Sequence, residues 1–215
     1  KYFIYLYVFI GYSLSNAGSY DDFFKAIHFD RPEDIHKLVM RGFDTNTPNE
    51  KGMPALLLAI KSGSAKSAMY LASQPQTRVE FVNEAGETPL MLAAITNQLE
   101  LANKLIERGA EVNRKGWTPL HYAATKGHIA MMRLLLENNA YIDAEAPNGT
   151  TPLMMAAYYA PPLAVKLLLE EGADPTLRNQ LKASALDLAL TADHPQSVFY
   201  LRAFIESWEI QQGAD

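Results

Sequence analysis

One phrase recurs three times in this chain and limits what it can fold into. It reads Thr88-Pro89-Leu90-Met91-Leu92-Ala93-Ala94, then Thr118-Pro119-Leu120-His121-Tyr122-Ala123-Ala124, then Thr151-Pro152-Leu153-Met154-Met155-Ala156-Ala157. The prolines lie 30 and 33 residues apart. The clearest copy, Gly116 to His128, reads as a turn followed by a short helix. Thr118 is placed to cap the helix with its hydroxyl, and Pro119 takes the first helical position, where no amide hydrogen is needed. Leu120, Ala123 and Ala124 form a narrow apolar face at helical spacing, and the two alanines let another helix come close. Gly127 ends the helix because it adopts the left-handed conformation that a side chain resists. A second helix is expected from Ile129 to about Asn138, carrying Met132, Leu134, Leu135 and Leu136. One such helix pair is too small to hold a core, so it requires neighbours of its own kind.

The units also close alike, at Leu105-Ile106-Glu107-Arg108-Gly109-Ala110, at Leu135-Leu136-Glu137-Asn138-Asn139-Ala140 and at Leu168-Leu169-Glu170-Glu171-Gly172-Ala173-Asp174. With this opening, closing and period, residues 20 to 206 resemble the ankyrin repeat family. The resemblance implies an all-α, right-handed ankyrin repeat solenoid of about six stacked helix-pair units, the first and last acting as caps. No sheet is expected beyond short pairings in the loops.

In chain order, residues 1–17 stand apart from the array. A positive Lys1, the apolar run from Tyr2 to Ile10 and small residues at Ser15 and Ala17 read as a signal peptide cut after Ala17. The run is too short to span a bilayer. A vector-derived Ser-Asn-Ala remnant or an apolar arm packed on the array are the competing readings. Residues 18–48 form the N-terminal capping repeat. Four repeats follow at 49–82, 83–115, 116–148 and 149–180, and residues 181–215 form the C-terminal capping repeat and a polar, frayed tail from Ser207. The second repeat is degenerate, with Pro54 and Ala55 in the Thr-Pro positions and an irregular linker from Gln74 to Ala85. The loop at Asn113 to Lys115 is three residues shorter than its successor, so a stunted finger is expected there. Pro161-Pro162 gives the fifth repeat a rigid entry to its second helix.

Composition removes several function classes. The net charge of −5 argues against nonspecific binding of nucleic acid, which needs a basic surface. The chain has no Cys, which excludes disulfides, zinc–thiolate sites and cysteine nucleophiles. No phosphate loop, paired metal-binding His or nucleophile elbow is present, so no catalytic, cofactor-binding or metal residue is assigned. His121 and His128 hold positions where the ankyrin pattern places His, and there the resemblance implies a ring bonded to loop backbone. Met131, Met132, Met154 and Met155 are expected to face the core.

The resemblance also implies where a partner would sit. The two residues after the Ala-Ala pair of each inner helix, and the residue after each finger Gly, point into the concavity. The rungs so defined are His28-Phe29, Lys61-Ser62, Ile95-Thr96, Thr125-Lys126, Tyr158-Tyr159 and Thr191-Ala192, with Met53, Glu87, Trp117 and Thr150 from the fingers. Partner binding is therefore expected at Trp117, Tyr158, Tyr159, Lys126, Thr125, Ile95, Phe29, Met53 and Glu87. The alternative for Trp117 is that the short finger lets it fold inward. The expected function is a non-catalytic, monomeric module that binds another protein and no nucleic acid, with no membrane span. The second expectation is an exported bacterial accessory protein, periplasmic or secreted, that supports an enzyme in oxidative stress. A cytoplasmic location follows instead if residues 1–17 are vector-derived.

Overall fold

The computed structural model describes residues 18–212, and the signal-peptide reading of residues 1–17 lies outside them. The described residues are all-α apart from one isolated antiparallel bridge between Pro48 and Pro54. The chain divides into two compact bodies, Lys1–Pro89 and Leu90–Asp215.

The first body holds two helix pairs. They are α1 (18–28) with α2 (Pro32–Met40), and α3 (Ala55–Lys61) with α4 (Ala65–Ser73). Phe23, Ile27, Ile35, Leu56, Leu57 and Leu71 are buried at its centre. The carboxylate of Asp30 accepts from the amides of Ser67 at 2.7 Å and Lys66 at 3.3 Å. The first repeat thereby satisfies free N–H groups at the start of α4. The linker after α4 is irregular, as expected: Gln74 to Thr77 turn, and Thr77 donates to the buried Thr45 hydroxyl at 2.8 Å.

The second body holds four more pairs. Their inner helices are α5 (Pro89–Ile95), α7 (Pro119–Lys126), α9 (Pro152–Tyr159) and α11 (Ala185–Thr191). Their outer helices are α6 (Leu99–Glu107), α8 (Ile129–Glu137), α10 (Pro162–Glu170) and α12 (Pro195–Gln212). Helix α9 packs between α7 and α11, and α8 packs beside α6 and α10, so the body has an inner and an outer row. Ala123, Ala124, Ala156, Ala157 and Ala189 are fully buried where the inner helices meet, and Met131, Leu135, Val165 and Leu168 fill the space between the rows. Helix α12 runs on to Gln212, so Ser207 to Gln212 are helical rather than frayed. The sequence offers no Pro or Gly to stop the helix before Gly213.

One junction recurs in nearly every pair. The first residue after the turn donates its amide to an alanine carbonyl on the inner helix: Arg31 to Ala26, Ser64 to Ala59, Gln98 to Ala93, His128 to Ala123 and His194 to Ala189. In the fifth pair that place is held by Pro161, which has no N–H to give. Two of these junction residues also reach the preceding repeat. His128 Nε2 bonds the Ile95 carbonyl and His194 Nδ1 the Ala157 carbonyl, both at 3.1 Å.

The fingers follow the sequence reading. At Asn49–Gly52, Asn83–Gly86, 146–149 and 179–182 the chain makes a closed turn, whereas at 112–117 it only bends.

Candidate functional site

Helix α7 anchors the second body's inner face. Thr118 caps it and pairs with His121 in a capping box. His121 is fully buried, with Nε2 at 2.9 Å from the Thr150 carbonyl. A carbonyl only accepts, so Nε2 carries the proton, and Nδ1 accepts from the Thr118 amide at 3.2 Å. Burial pushes the imidazole down to about 4, against the opposing pull of the Thr150 hydrogen bond. A second proton on Nδ1 would confront the Thr118 N–H. The ring is held neutral for structural bonding, as the sequence pattern implied.

Beside His121 lies a shallow apolar recess of about 230 Å³, lined by Ile95, Trp117, His121, Tyr122, Thr125 and Met155. Three of the expected partner-binding residues, Ile95, Trp117 and Thr125, therefore come together. Trp117 is half-buried, with its ring edge-on to His121 at 5.2 Å between centroids. It takes a middle course between projecting freely and folding into the core. The Thr125 hydroxyl is turned back to the His121 carbonyl at 2.7 Å, so it contributes its methyl more than its polarity. Tyr158 and Tyr159 do not line the recess. They pack edge-on to one another at 4.6 Å and are 36% and 59% exposed. Lys126 is exposed at the end of α7, and among the described residues its ammonium has no ion pair or hydrogen bond.

In the first body the expected rungs are placed differently. Phe29 is exposed, but it lines a groove with Asp34 and Leu38 of α2, under the Arg31 guanidinium 5.2 Å from its ring. It lies on the α1–α2 side of the first repeat because Phe29 and Asp30 have already left the helix, Asp30 with φ of 51°. His28 instead shares a groove with Tyr20, Phe24 and Leu58. Met53 is half-buried, its backbone amide donating to the Asn49 side chain at 2.9 Å. Glu87 is occupied internally, with Lys61 at 2.9 Å and the Asn83 amide at 2.8 Å. Burial alone would raise the Glu87 carboxyl, but Asn83 and Lys61 together hold it below the ordinary value.

Two recess residues were missed in the sequence. Tyr122 and Met155 precede the Ala-Ala pair, and Met155 is half-buried on the recess rather than in the core with Met131, Met132 and Met154. The available signal was helical spacing: Tyr122 stands three and four residues before Thr125 and Lys126, on the same face.

The inner helices of this body are almost uncharged. Across α5, α7, α9 and α11 the ionised side chains are Lys126 and Asp187. Asp187 is taken up by the Ser184 amide at 2.8 Å and by Arg178 at 3.1 Å. The Ser184 hydrogen bonds, ahead of the Arg178 charge, keep its carboxyl below the ordinary range.

A family model described as ankyrin repeats, in three copies, matches residues 23–116 and 113–179. Among curated proteins the chain is similar to "Ankyrin repeat and SAM domain-containing protein 6" of Rattus norvegicus, at 31% identity over 151 residues. The Mus musculus protein of the same name is 35% identical over 151 residues. Each alignment covers 70% of this chain and 14% of the relative, so the chain spans about a seventh of their length. A stretch of 86 residues is 33% identical to "Neurogenic locus notch homolog protein 4" of Homo sapiens, covering 40% of this chain and 4% of that protein. These are animal proteins and lend no support to a bacterial, exported type.

Proposed function

This chain belongs to the ankyrin repeat family, and on that premise we propose that it is a non-catalytic module that binds a partner protein on the inner-helix face of its second body. One observation carries the reading. A recess walled by Trp117, Tyr122, Ile95 and Met155 opens on a row of nearly uncharged helices that also exposes Tyr158 and Tyr159. Apolar and aromatic groups gathered on a preformed surface mark contact sites, and Trp and Tyr are typical anchors there. The helix pairs fix this face before binding, so association orders little backbone. His121, the buried imidazole of the site, is committed to Thr118 and Thr150. The accessory role in stress defence rests on residues 1–17 and gains nothing from the relatives.

The test is the triple change of Trp117, Tyr158 and Tyr159 to Ala, applied to a partner identified by affinity capture and mass spectrometry. Affinity is expected to fall by at least ~2 kcal/mol, while the helical signal and cooperative melting persist. Intact binding in a protein that has lost much of its stability would make these rings core elements and move the binding face elsewhere.

A further inference from the structure

Lys126 follows Thr125 of the apolar recess and, among the described residues, has no counter-charge, on helices that are otherwise almost without ionised groups. We infer that the face binds a short acidic peptide segment, with one bulky apolar side chain in the recess and an adjacent carboxylate on Lys126. The inference rests on the partner-binding reading above and names the chemistry of the partner.

At about 230 Å³ the recess falls below the range of small-molecule pockets, ~300–1,000 Å³, and suits one side chain better than a cofactor. Its walls are Ile95, Trp117, Tyr122 and Met155, so that side chain is apolar. Lys126 follows Tyr122 by four residues on α7, which brings their Cβ atoms within about 6 Å. A carboxylate one or two residues from the apolar anchor therefore reaches the ammonium. The one carboxylate on these four helices, Asp187, is held by Ser184 and Arg178. Among the described residues, an acidic ligand thus meets the free cation of Lys126 on these helices and no free anion on them, although the protein as a whole carries −5. With the recess alone, any apolar segment would do. Lys126 adds sign selection, as complementary charge at an interface favours one partner over its opposite.

The experiment is panning of phage-displayed random dodecapeptides on the full chain and on Lys126→Glu, whose exposed side chain leaves the fold undisturbed. Peptides selected by the parent should carry Asp or Glu within two residues of Leu, Phe or Trp. Resynthesised with amides in place of the acids, they should bind more weakly by up to about fivefold, the upper end of what an exposed ion pair contributes. Lys126→Glu should weaken the original peptides by the same factor and should itself select Lys or Arg at that position. Met155→Asp should abolish binding of both sets, with Trp117→Ala as the second probe of the recess and circular dichroism as the check on folding. Selected peptides that depend on Met155 or Trp117 but show no preference for acids overturn this inference and leave the partner face standing. Peptides indifferent to both recess variants, or no enrichment at all, overturn the two readings together.

Discussion

At the fourth position of the repeated phrase, the repeat of α7 holds His121 and the repeat of α9 holds Met154, and neither side chain is more than 1% exposed. The two helices are the same length and pack against each other. In α7 the position is polar, with bonds from His121 to Thr118 and to Thr150 of the next finger. In α9 it is apolar, and Thr151 accepts from the Met154 amide at 3.4 Å. The exits differ as well. Helix α7 leaves through Gly127 at φ of 66°, whereas α9 leaves through an extended Ala160 into Pro161. These exits fit together, since a Cβ on Gly127 would come within 2.7 Å of Pro161 Cδ. The shared fold therefore requires a filled volume at this buried position, and the histidine adds direction and a liability to acid.

The comparison breaks most completely where the two repeats agree. Leu135 and Leu168 occupy matching positions at 0% exposure. Leu135→Asp buries a carboxylate with no partner at a cost of several kcal/mol, of the order of a domain's whole stability. Loss of cooperative thermal melting is expected, and an unchanged midpoint would mean that the packing of α8 has been misplaced.

Giving α7 the residue of α9, His121→Met, sharpens the difference. The folded imidazole titrates near 4 and an unfolded one near 6.5, so between these values the unfolded chain binds more protons. Stability contributed by the neutral ring is complete above about pH 6.5 and is lost as pH falls towards 4, by about 3 kcal/mol. The variant lacks that loss. At pH 7 it gives up about 1–3 kcal/mol by taking the imidazole acceptor away from the buried Thr118 amide, whereas the Thr150 carbonyl keeps the Ala146 amide. Urea titrations of both proteins across pH 4 to 7 should converge on the acid side. Parallel curves would show that His121 is not the titrating group.

Gly127→Ala has the smallest expected effect, about 1–2 kcal/mol for a side chain at left-handed φ. Part of the cost is the contact with Pro161, so in a Pro161→Ala background the penalty should shrink without vanishing. An equal penalty in both backgrounds would show that the two exits do not interlock.

The helix pairs were legible because Thr-Pro, Ala-Ala and Gly are local signals whose meaning is set by backbone chemistry. Helix α7 begins at Pro119 and α8 at Ile129, as read from sequence. The site was only partly legible. Rung spacing found Ile95, Trp117 and Thr125 but passed over Tyr122 and Met155, because the face of a helix includes the preceding turn. Glu87 looked free until Lys61, 26 residues earlier, was found beside it. No local pattern announces such a pairing. Register places Phe29 on the inner helix, but that helix ends at His28.

Pro161 gives up the amide bond to alanine seen at the junctions of the other repeats, yet this repeat is as well buried as its neighbours. Its effect extends to the unfolded chain. Pro161 and Pro162 hold φ near the values the fold uses, with −58° at Pro161, so the denatured segment has fewer conformations to surrender. Each such proline is worth about 0.4–1 kcal/mol by this route, comparable to the hydrogen bond forgone. Two of the amides at the start of α10 are also absent, so that terminus has fewer donors to satisfy. The fifth repeat can thus match its neighbours in stability with fewer bonds in the native state, because less disorder is lost when it forms.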